Sequence, residues 1–98
     1  MLSFLPPKPS DIQDQLRVKF KTRRKQLGYT QTELAECSGV SLGSLKRFES
    51  TGQISLESFL KLAFVLECLE EFGGVCEREE ERFGSIGEVV GEDISNEF

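Results

Sequence analysis

Apolar residues recur about every four positions in the first part of the chain, at Ile12, Leu16, Phe20 and Leu27. This spacing places them on one face of a helix and predicts that they form a buried stripe. Ser10 precedes the stripe, and Gln13 follows three residues later, which is typical of an N-terminal capping box. Gly28 suits the left-handed backbone conformation in which many helices end. We therefore predict that a first helix begins at Ser10 and ends near Gly28.

A short second helix is predicted next, because Thr30 and Glu33 repeat the spacing of a capping box. The apolar pair at 34–35 should face the interior of the domain. Gly39 then permits a sharp turn with positive φ. Val40 is expected to fill the core at this turn.

The third predicted helix begins after Ser41, a residue type that favours the N-cap position. Leu45 and Phe48 form its inward face, and Gly52 ends it. The helical spacing leaves several residues facing outward, namely Leu42, Gly43, Ser44, Lys46 and Arg47.

A fourth helix is predicted after Ser55, and its apolar residues are Leu56, Phe59, Leu60, Leu62, Ala63, Phe64 and Leu66. This set is too wide for one side of a single small domain, so it indicates packing on the core and on a partner. Phe59, Phe64 and Phe72 are accordingly interpreted as core or dimer-seam residues. Residues 67–72 are predicted to add a short fifth helix that ends at Gly73-Gly74.

The charge of the chain is divided unevenly between its two halves. The total is −5, but residues 1–52 carry nine basic and five acidic side chains, while residues 53–98 carry three basic and twelve acidic ones. A polyanion would be attracted to the first half and repelled by the second. We divide the chain into a proline-containing N-terminal arm (1–10), a folded domain (11–76) and an acidic, flexible C-terminal tail (77–98). The tail is interpreted either as solubilising or as a surface that binds a partner or mimics DNA.

The composition argues against catalysis. The chain has no histidine, which removes the commonest general base. Cys37, Cys68 and Cys76 contain no C-x-x-C pair, so we expect buried, reduced thiols and neither a metal site nor a cofactor. There is no apolar run long enough to cross a membrane and no signal peptide at the start, so the expected location is the cytoplasm.

Two short helices joined by a tight turn that contains glycine are typical of a helix-turn-helix unit, whose second helix enters the DNA major groove. Arg47 is a candidate hydrogen-bond donor to guanine, and Leu42 is a candidate for contact with a thymine methyl group. Gly43 would let the backbone approach DNA closely. The candidates for phosphate contacts are Gln31, Ser41, Ser44 and Lys46. The basic run 17–25 would add nonspecific attraction, although such runs are more often a solvated surface.

The stretch from 27 to 66, LGYTQTELAECSGVSLGSLKRFESTGQISLESFLKLAFVL, resembles the Xre/Cro-type helix-turn-helix family of phage and bacterial repressors. The similarity is carried by Thr30-Gln31, Leu34-Ala35, Gly39-Val40-Ser41, Glu49, Gly52, Ser55 and the helix at 60–63. The resemblance implies an all-α, five-helix Cro/C1-type domain that dimerises and binds a two-fold related DNA operator. It also implies that Glu49 is structural and ties the recognition helix to the rest of the fold.

Within that family, residues 41–72 are similar to antitoxins of the Hip type. This narrower resemblance implies an antitoxin that represses its own operon as a homodimer and binds a kinase-like toxin. An alternative is a protein-interaction module that restrains a partner enzyme and binds DNA only weakly.

Overall fold

A computed structural model of the protein describes residues 5–77. They form the helices α1 (Pro9–Gln26), α2 (Gln31–Ser38), α3 (Leu42–Thr51) and α4 (Leu56–Val65), followed by a 3₁₀ helix, Leu69–Gly74. Within this range there is no strand, and the predicted all-α fold with five helices is confirmed. The first four residues of the predicted arm, and the predicted tail beyond Glu77, lie outside the described residues.

Three of the predicted helix starts are confirmed by their hydrogen bonds. The Thr30 hydroxyl accepts the N–H of Glu33 at 3.0 Å, and the Glu33 carboxylate accepts the N–H of Thr30 at 2.9 Å. Ser41 and Ser55 cap α3 and α4, each accepting the N–H three residues later at 3.1 Å. These side chains bond backbone donors that a helix leaves without partners in its first turn.

The predicted start of α1 at a Ser10 cap is wrong. The helix begins at Pro9 and is preceded by Lys8, whose N–H donates to the Asp11 carboxylate at 2.9 Å. Proline suits the first helical position because its fixed φ is already helical and its missing N–H would have no partner there. Ser10 and Gln13, which were predicted to form the box, therefore both lie inside the helix, at its second and fifth positions.

The core lies where the four α-helices meet. Its buried apolar residues are Phe20, Leu34, Ala35, Val40, Leu45, Phe48, Phe59, Leu62, Ala63 and Leu66. At its centre the rings of Phe20 and Phe59 stack with centroids 4.6 Å apart, and Phe48 meets Phe20 edge-on at 5.6 Å. Both arrangements are favourable for aromatic rings, so α1, α3 and α4 are joined through one aromatic cluster.

The predicted apolar stripe of α1 is buried only in part. Phe20 is buried, and Leu16 and Leu27 are half-buried. Ile12 is 39% exposed, so the prediction that it is buried is wrong. The first turns of α1 therefore contribute little to the core.

Helix α4 is apolar on more than the face that packs on the core, as its sequence predicted. Phe59, Leu62 and Ala63 are buried, whereas Leu56 and Phe64 are among the exposed large apolar residues. The chain then continues into the 3₁₀ helix, which begins two residues later than the predicted fifth helix and includes Gly73–Gly74. No helix in the described part of the chain is long and apolar enough to span a membrane.

The prediction that the cysteines are buried is wrong. Cys37 and Cys76 are exposed, and Cys68 is half-buried at the edge of the core. All three are free thiols. Cys37 lies in the last turn of α2, where it borders an open groove next to Leu60 and Phe64 of α4.

Candidate nucleic-acid interface

Helices α2 and α3 and the turn between them form the helix-turn-helix unit. The turn depends on Gly39, whose φ of 79° is unfavourable for residues with a side chain. Val40 follows and is buried in the core, while its N–H donates to the Ser38 hydroxyl at 3.2 Å. The turn is thus held both by an apolar anchor and by a hydrogen bond.

Helix α3 has a buried side and an exposed side. Leu45, Phe48 and Glu49 are buried against the other helices. Its exposed residues include Gly43, Ser44, Lys46 and Arg47, and we call these four the outer face of α3. The structure thus brings these four predicted site residues together on one surface.

Leu42 and Gln31 lie differently from the other predicted site residues. Leu42 is half-buried and packs against the core, so only part of its side chain borders the outer face of α3. Gln31 is half-buried at the first position of α2, and its amide nitrogen donates to the Glu49 carboxylate at 2.9 Å. The Gln31 side chain therefore joins α2 to α3, while its backbone N–H lies in the first turn of α2, where a helix offers donors to a phosphate.

The start of α3 carries two hydroxyl groups close together. Ser41 accepts the N–H of Ser44, and its hydroxyl also donates to the Ser44 hydroxyl at 3.0 Å. Both residues are exposed. The Ser44 O–H therefore remains available to donate to a further partner at this end of the helix, whereas the Ser41 O–H is used in the bond to Ser44.

Arg47 is held by a residue that the sequence interpretation missed. Its Nη2 donates to Oε1 of Gln53 at 2.9 Å, and both side chains are exposed. Gln53 lies just beyond the end of α3 at Gly52. The helical pattern alone does not place it near Arg47, since the contact arises from the path of the chain after the helix.

A buried ion pair fixes the helix-turn-helix unit to α1. Arg24 donates to both carboxylate oxygens of Glu49, at 2.8 and 3.0 Å, and donates to the Tyr29 carbonyl at 2.9 Å. The Glu49 carboxylate, which belongs to α3, therefore accepts hydrogen bonds from Arg24 of α1 and from Gln31 of α2. Glu49 therefore has the structural role that the sequence resemblance implied.

Two more side chains of α1 hold the end of α3. Arg17 donates to the Glu49 carbonyl at 3.3 Å, and the Gln13 amide donates to the Gly52 carbonyl at 3.4 Å. Gly52 is buried with a φ of 83°, and a Cβ added there would come within 3.1 Å of the Gln13 Cβ. A glycine is thus required both by the backbone conformation and by the close approach of α1.

The basic run of α1 serves more than one purpose. Lys19, Lys21 and Lys25 are exposed, as a solvated surface would be. Arg24 is buried in the ion pair, and Arg23 donates to the Leu66 carbonyl at 2.9 Å. This division is not visible in the sequence, because it depends on how α1 packs against α3 and α4.

A comparison with protein families agrees with this geometry. A family model described as helix-turn-helix matches residues 20–70, which is just over half of the chain. The match identifies the Xre/Cro type and does not single out the Hip-type antitoxins within it. No curated protein and no solved structure matched the chain. The chain belongs to the Xre/Cro-type helix-turn-helix family, a family of DNA-binding transcription regulators.

Proposed function

We propose that the protein is a sequence-specific transcriptional repressor that binds a two-fold related DNA operator as a homodimer. The observation that carries this proposal is the division of α3. Its buried residues hold the helix in the fold, while Gly43, Ser44, Lys46 and Arg47 are exposed. A helix presented in this way can enter the major groove without losing core contacts.

The outer face of α3 combines the side chains that such a role needs. Arg47 has a planar guanidinium that can donate two hydrogen bonds to the O6 and N7 atoms of guanine. Ser44 is small and polar, and Gly43 has open space around its Cα, so the backbone can approach the base edges closely. The half-buried Leu42 offers an apolar edge to a thymine methyl group. Base recognition is therefore proposed to rest mainly on Arg47.

Phosphate contacts are proposed at both sides of this face. Lys46 supplies a positive charge next to Arg47, and Ser41 lies at the N-terminus of α3. The first turn of α2, with the backbone N–H of Gln31, provides further donors. The exposed lysines of α1 add a nonspecific, salt-sensitive attraction to the duplex.

The homodimer is supported by the apolar surface of α4. Phe64 is 70% exposed, and together with Leu60, Val65 and Leu69 it borders a shallow groove of about 540 Å³ that reaches Cys37 of α2. We call these four residues the apolar α4 surface. An aromatic ring this exposed on a domain of this size is typical of a protein interface.

The finer proposal is that the repressor is the antitoxin of a toxin–antitoxin operon and binds a kinase-like toxin. It is supported by the Hip-type resemblance of residues 41–72. It is tested by co-expression with the product of the adjacent reading frame, followed by size-exclusion chromatography. A stable complex with a kinase-like protein is expected, and separate elution of the two proteins contradicts the antitoxin proposal.

A second candidate is a protein-interaction module that restrains a partner enzyme and binds DNA only weakly. The observation that favours it is the combination of the apolar α4 surface with the strongly acidic second half of the chain. Substitution of Arg47 separates the two candidates. Arg47→Ala should strongly weaken operator binding by the repressor and leave a partner complex intact.

The test begins with selection of bound sequences from a pool of randomised DNA duplexes by the full-length protein. A two-fold related consensus is expected. Arg47→Ala should reduce the preference for this consensus, whereas Lys25→Ala, which removes a charge from the exposed end of α1, should retain it. Recovery of random sequences by the unmodified protein contradicts sequence-specific binding.

A further inference from the structure

We propose that Gln53 is a positioning residue for Arg47 and that the bond between them sharpens the sequence preference of the outer face of α3. This inference rests on the proposed function, since it takes Arg47 to be the residue that contacts bases. It adds a residue outside α3 to the determinants of specificity. Gln53 acts here through Arg47 and not through a contact of its own with a base.

The position of Gln53 depends on the turn that ends α3. Gln53 lies six positions after Arg47 in the chain. In a continuous helix this spacing is about one and two-thirds turns, and the two side chains would lie on different sides of the helix. The left-handed conformation of Gly52, with φ of 83°, redirects the chain. As a result Oε1 of Gln53 lies 2.9 Å from Nη2 of Arg47.

The backbone on both sides of this bond is fixed. The N–H of Gln53 donates to the Thr51 hydroxyl at 3.1 Å, and that hydroxyl donates to the Arg47 carbonyl at 2.7 Å. Gly52 is packed against Gln13 of α1, whose amide donates to the Gly52 carbonyl. Gln53 therefore extends from a segment tied to two helices, which makes it a firm support for a long side chain.

The bond leaves Arg47 able to bind DNA. A guanidinium has five N–H donors, and Gln53 takes one of them, so the others remain for base acceptors. An exposed arginine free of such a bond must lose rotamer freedom when it binds. Holding it in place beforehand lowers the cost of binding the correct base. The expected consequence is a stronger preference for the selected sequence and not a stronger attraction to DNA in general.

The primary test measures binding of the full-length protein to two duplexes by fluorescence anisotropy. One is the consensus obtained from the randomised pool, and the other is a scrambled duplex of the same length and composition. Gln53→Met keeps the length of the side chain and removes the acceptor. We expect it to weaken binding to the consensus about 3- to 10-fold, which corresponds to roughly 0.7–1.4 kcal/mol, and to leave binding to the scrambled duplex unchanged.

Two further variants distinguish positioning from a structural role. Gln53→Glu keeps an acceptor for Arg47, so the ratio of consensus to scrambled affinity should be retained although the added negative charge weakens binding to both duplexes. In an Arg47→Ala background, Gln53→Met should have no further effect on the ratio, because the two substitutions remove the same interaction. Thermal denaturation followed by circular dichroism should be nearly unchanged in the Gln53 variants, since this side chain is exposed.

Five results would overturn the inference. Equal weakening on both duplexes would mean that Gln53 contacts the DNA backbone directly, and tighter consensus binding would mean that it restrains Arg47 away from DNA. Additive effects of the Arg47 and Gln53 substitutions would mean that the residues act independently. If Arg47→Ala changes the preference and Gln53→Met does not, the inference fails and the proposed function stands. If Arg47→Ala itself leaves the preference intact, the inference fails together with the proposed role of Arg47 in base recognition, whereas recovery of random sequences by the unmodified protein contradicts the proposed function.

Discussion

Arg24 of α1 and Glu49 of α3 form an ion pair with two hydrogen bonds, of 2.8 and 3.0 Å, and the residues are only 6% and 5% exposed. Gln31 of α2 donates to the same carboxylate at 2.9 Å. One carboxylate thus sets the relative positions of three helices. Because the cost of removing two charges from water offsets much of their attraction, such a pair contributes more to defining a geometry than to net stability. Here the geometry it defines is the orientation of α3.

The first prediction concerns the loss of one partner from this pair. Arg24→Met or Glu49→Leu leaves the opposite charge buried and unpaired, so each should lower the free energy of unfolding by about 3–5 kcal/mol. The double variant should lose less free energy of unfolding than the two single variants lose in sum, because no unpaired charge then remains buried. Urea denaturation followed by circular dichroism measures both effects.

The exposed pair between Glu57 and Lys61 is the control for this experiment. The nitrogen and oxygen are 3.5 Å apart and the side chains are largely solvated. Lys61→Ala should therefore change the free energy of unfolding by no more than about 0.5 kcal/mol. If Arg24→Met has an effect as small as Lys61→Ala, the ion pair does not have the structural importance described here.

The second prediction ranks three glycine-to-alanine substitutions by their effect on the free energy of unfolding. Gly43 is helical with open space around it, so Gly43→Ala should stabilise the protein by roughly 0.5–1 kcal/mol. Gly39 has a φ of 79° and open space, so alanine there should cost about 1–2 kcal/mol of backbone strain. Gly52 combines a φ of 83° with a Cβ contact of 3.1 Å to Gln13, which adds roughly 1–3 kcal/mol of overpacking.

Thermal or urea denaturation of the three variants without DNA gives the order directly. The same two-state treatment applies to each, since the domain is small. A Gly52→Ala variant as stable as Gly39→Ala would mean that α1 shifts away from the turn at little cost. A destabilised Gly43→Ala variant would contradict the open space around Gly43 in α3.

The third prediction concerns the three thiols. Cys68 is half-buried; burial raises the pKa of its thiol, the Glu71 carboxylate raises it further, and Arg23 opposes these two effects. A raised pKa means less thiolate at a given pH, and the thiolate is the reactive form. Cys37 and Cys76 are exposed. In the monomer, where the groove beside Cys37 is open, iodoacetamide at pH 8 should therefore modify these two before Cys68.

Mass spectrometry of peptides after short reaction times measures the three rates. Raising the pH should reduce the difference in modification rate between Cys68 and the two exposed cysteines, because the Cys68 thiol then ionises as well. Glu71→Gln should speed the modification of Cys68, and Arg23→Met should slow it. Denaturation in urea should make the rates similar. Modification of Cys68 ahead of Cys37 in the folded protein contradicts the described burial.

The features predicted correctly from sequence are those set by neighbouring residues. The caps at Thr30, Ser41 and Ser55 need only a side-chain oxygen and an N–H three residues later, so their spacing in the sequence is sufficient. The same holds for the turn at Gly39, where the left-handed backbone selects glycine. In α1 two local signals compete, because Pro9 and Asp11 also form a good helix start. The sequence interpretation chose Ser10, and this choice was wrong.

The features that were missed depend on contacts between distant parts of the chain. Arg24 looks like any other residue of its basic run until α1 packs on α3, which places it beside Glu49, 25 positions away. The bond between Arg47 and Gln53 depends in the same way on the path of the chain after Gly52. The periodicity that predicted burial of Ile12 describes a helical face, and it contains no information on where the neighbouring helices end. The outer face of α3 was predictable because it is what remains when Leu45 and Phe48 turn inward.

The fourth prediction tests the proposed dimer. A two-fold interface through the apolar α4 surface would bury Phe64 of both protomers, and full burial of such a ring contributes about 1.5–3 kcal/mol. Phe64→Ala should therefore raise the Kd of the dimer by at least about 100-fold. It should leave the monomer folded, because the ring is 70% exposed in the single chain.

Sedimentation velocity over a range of protein concentrations measures the dimer, and circular dichroism measures the fold. Val18→Ala is the matched control, since Val18 is also exposed but lies on α1. Dissociation by Val18→Ala and not by Phe64→Ala would place the interface on α1. A monomer at all concentrations for the unmodified protein would contradict the proposed homodimer.

The fifth prediction separates charge from base recognition on the outer face of α3. Each phosphate contact adds about 0.9 to the slope of log affinity against log salt concentration. Lys46→Ala should weaken binding to consensus and scrambled duplexes alike and reduce that slope by about one for each protomer. Arg47→Ala should instead reduce the preference for the consensus, because a guanidinium bonded to a base edge carries sequence information. Anisotropy titrations at several salt concentrations measure both quantities. Lys61→Ala of α4 is the control, because it removes the same charge from outside the proposed DNA contact; sedimentation velocity first establishes that this variant is dimeric at the concentrations used. Two results would mean that the outer face of α3 does not bind the DNA backbone. One is an affinity of the unmodified protein that does not depend on salt concentration, and the other is a change in slope as large for Lys61→Ala as for Lys46→Ala.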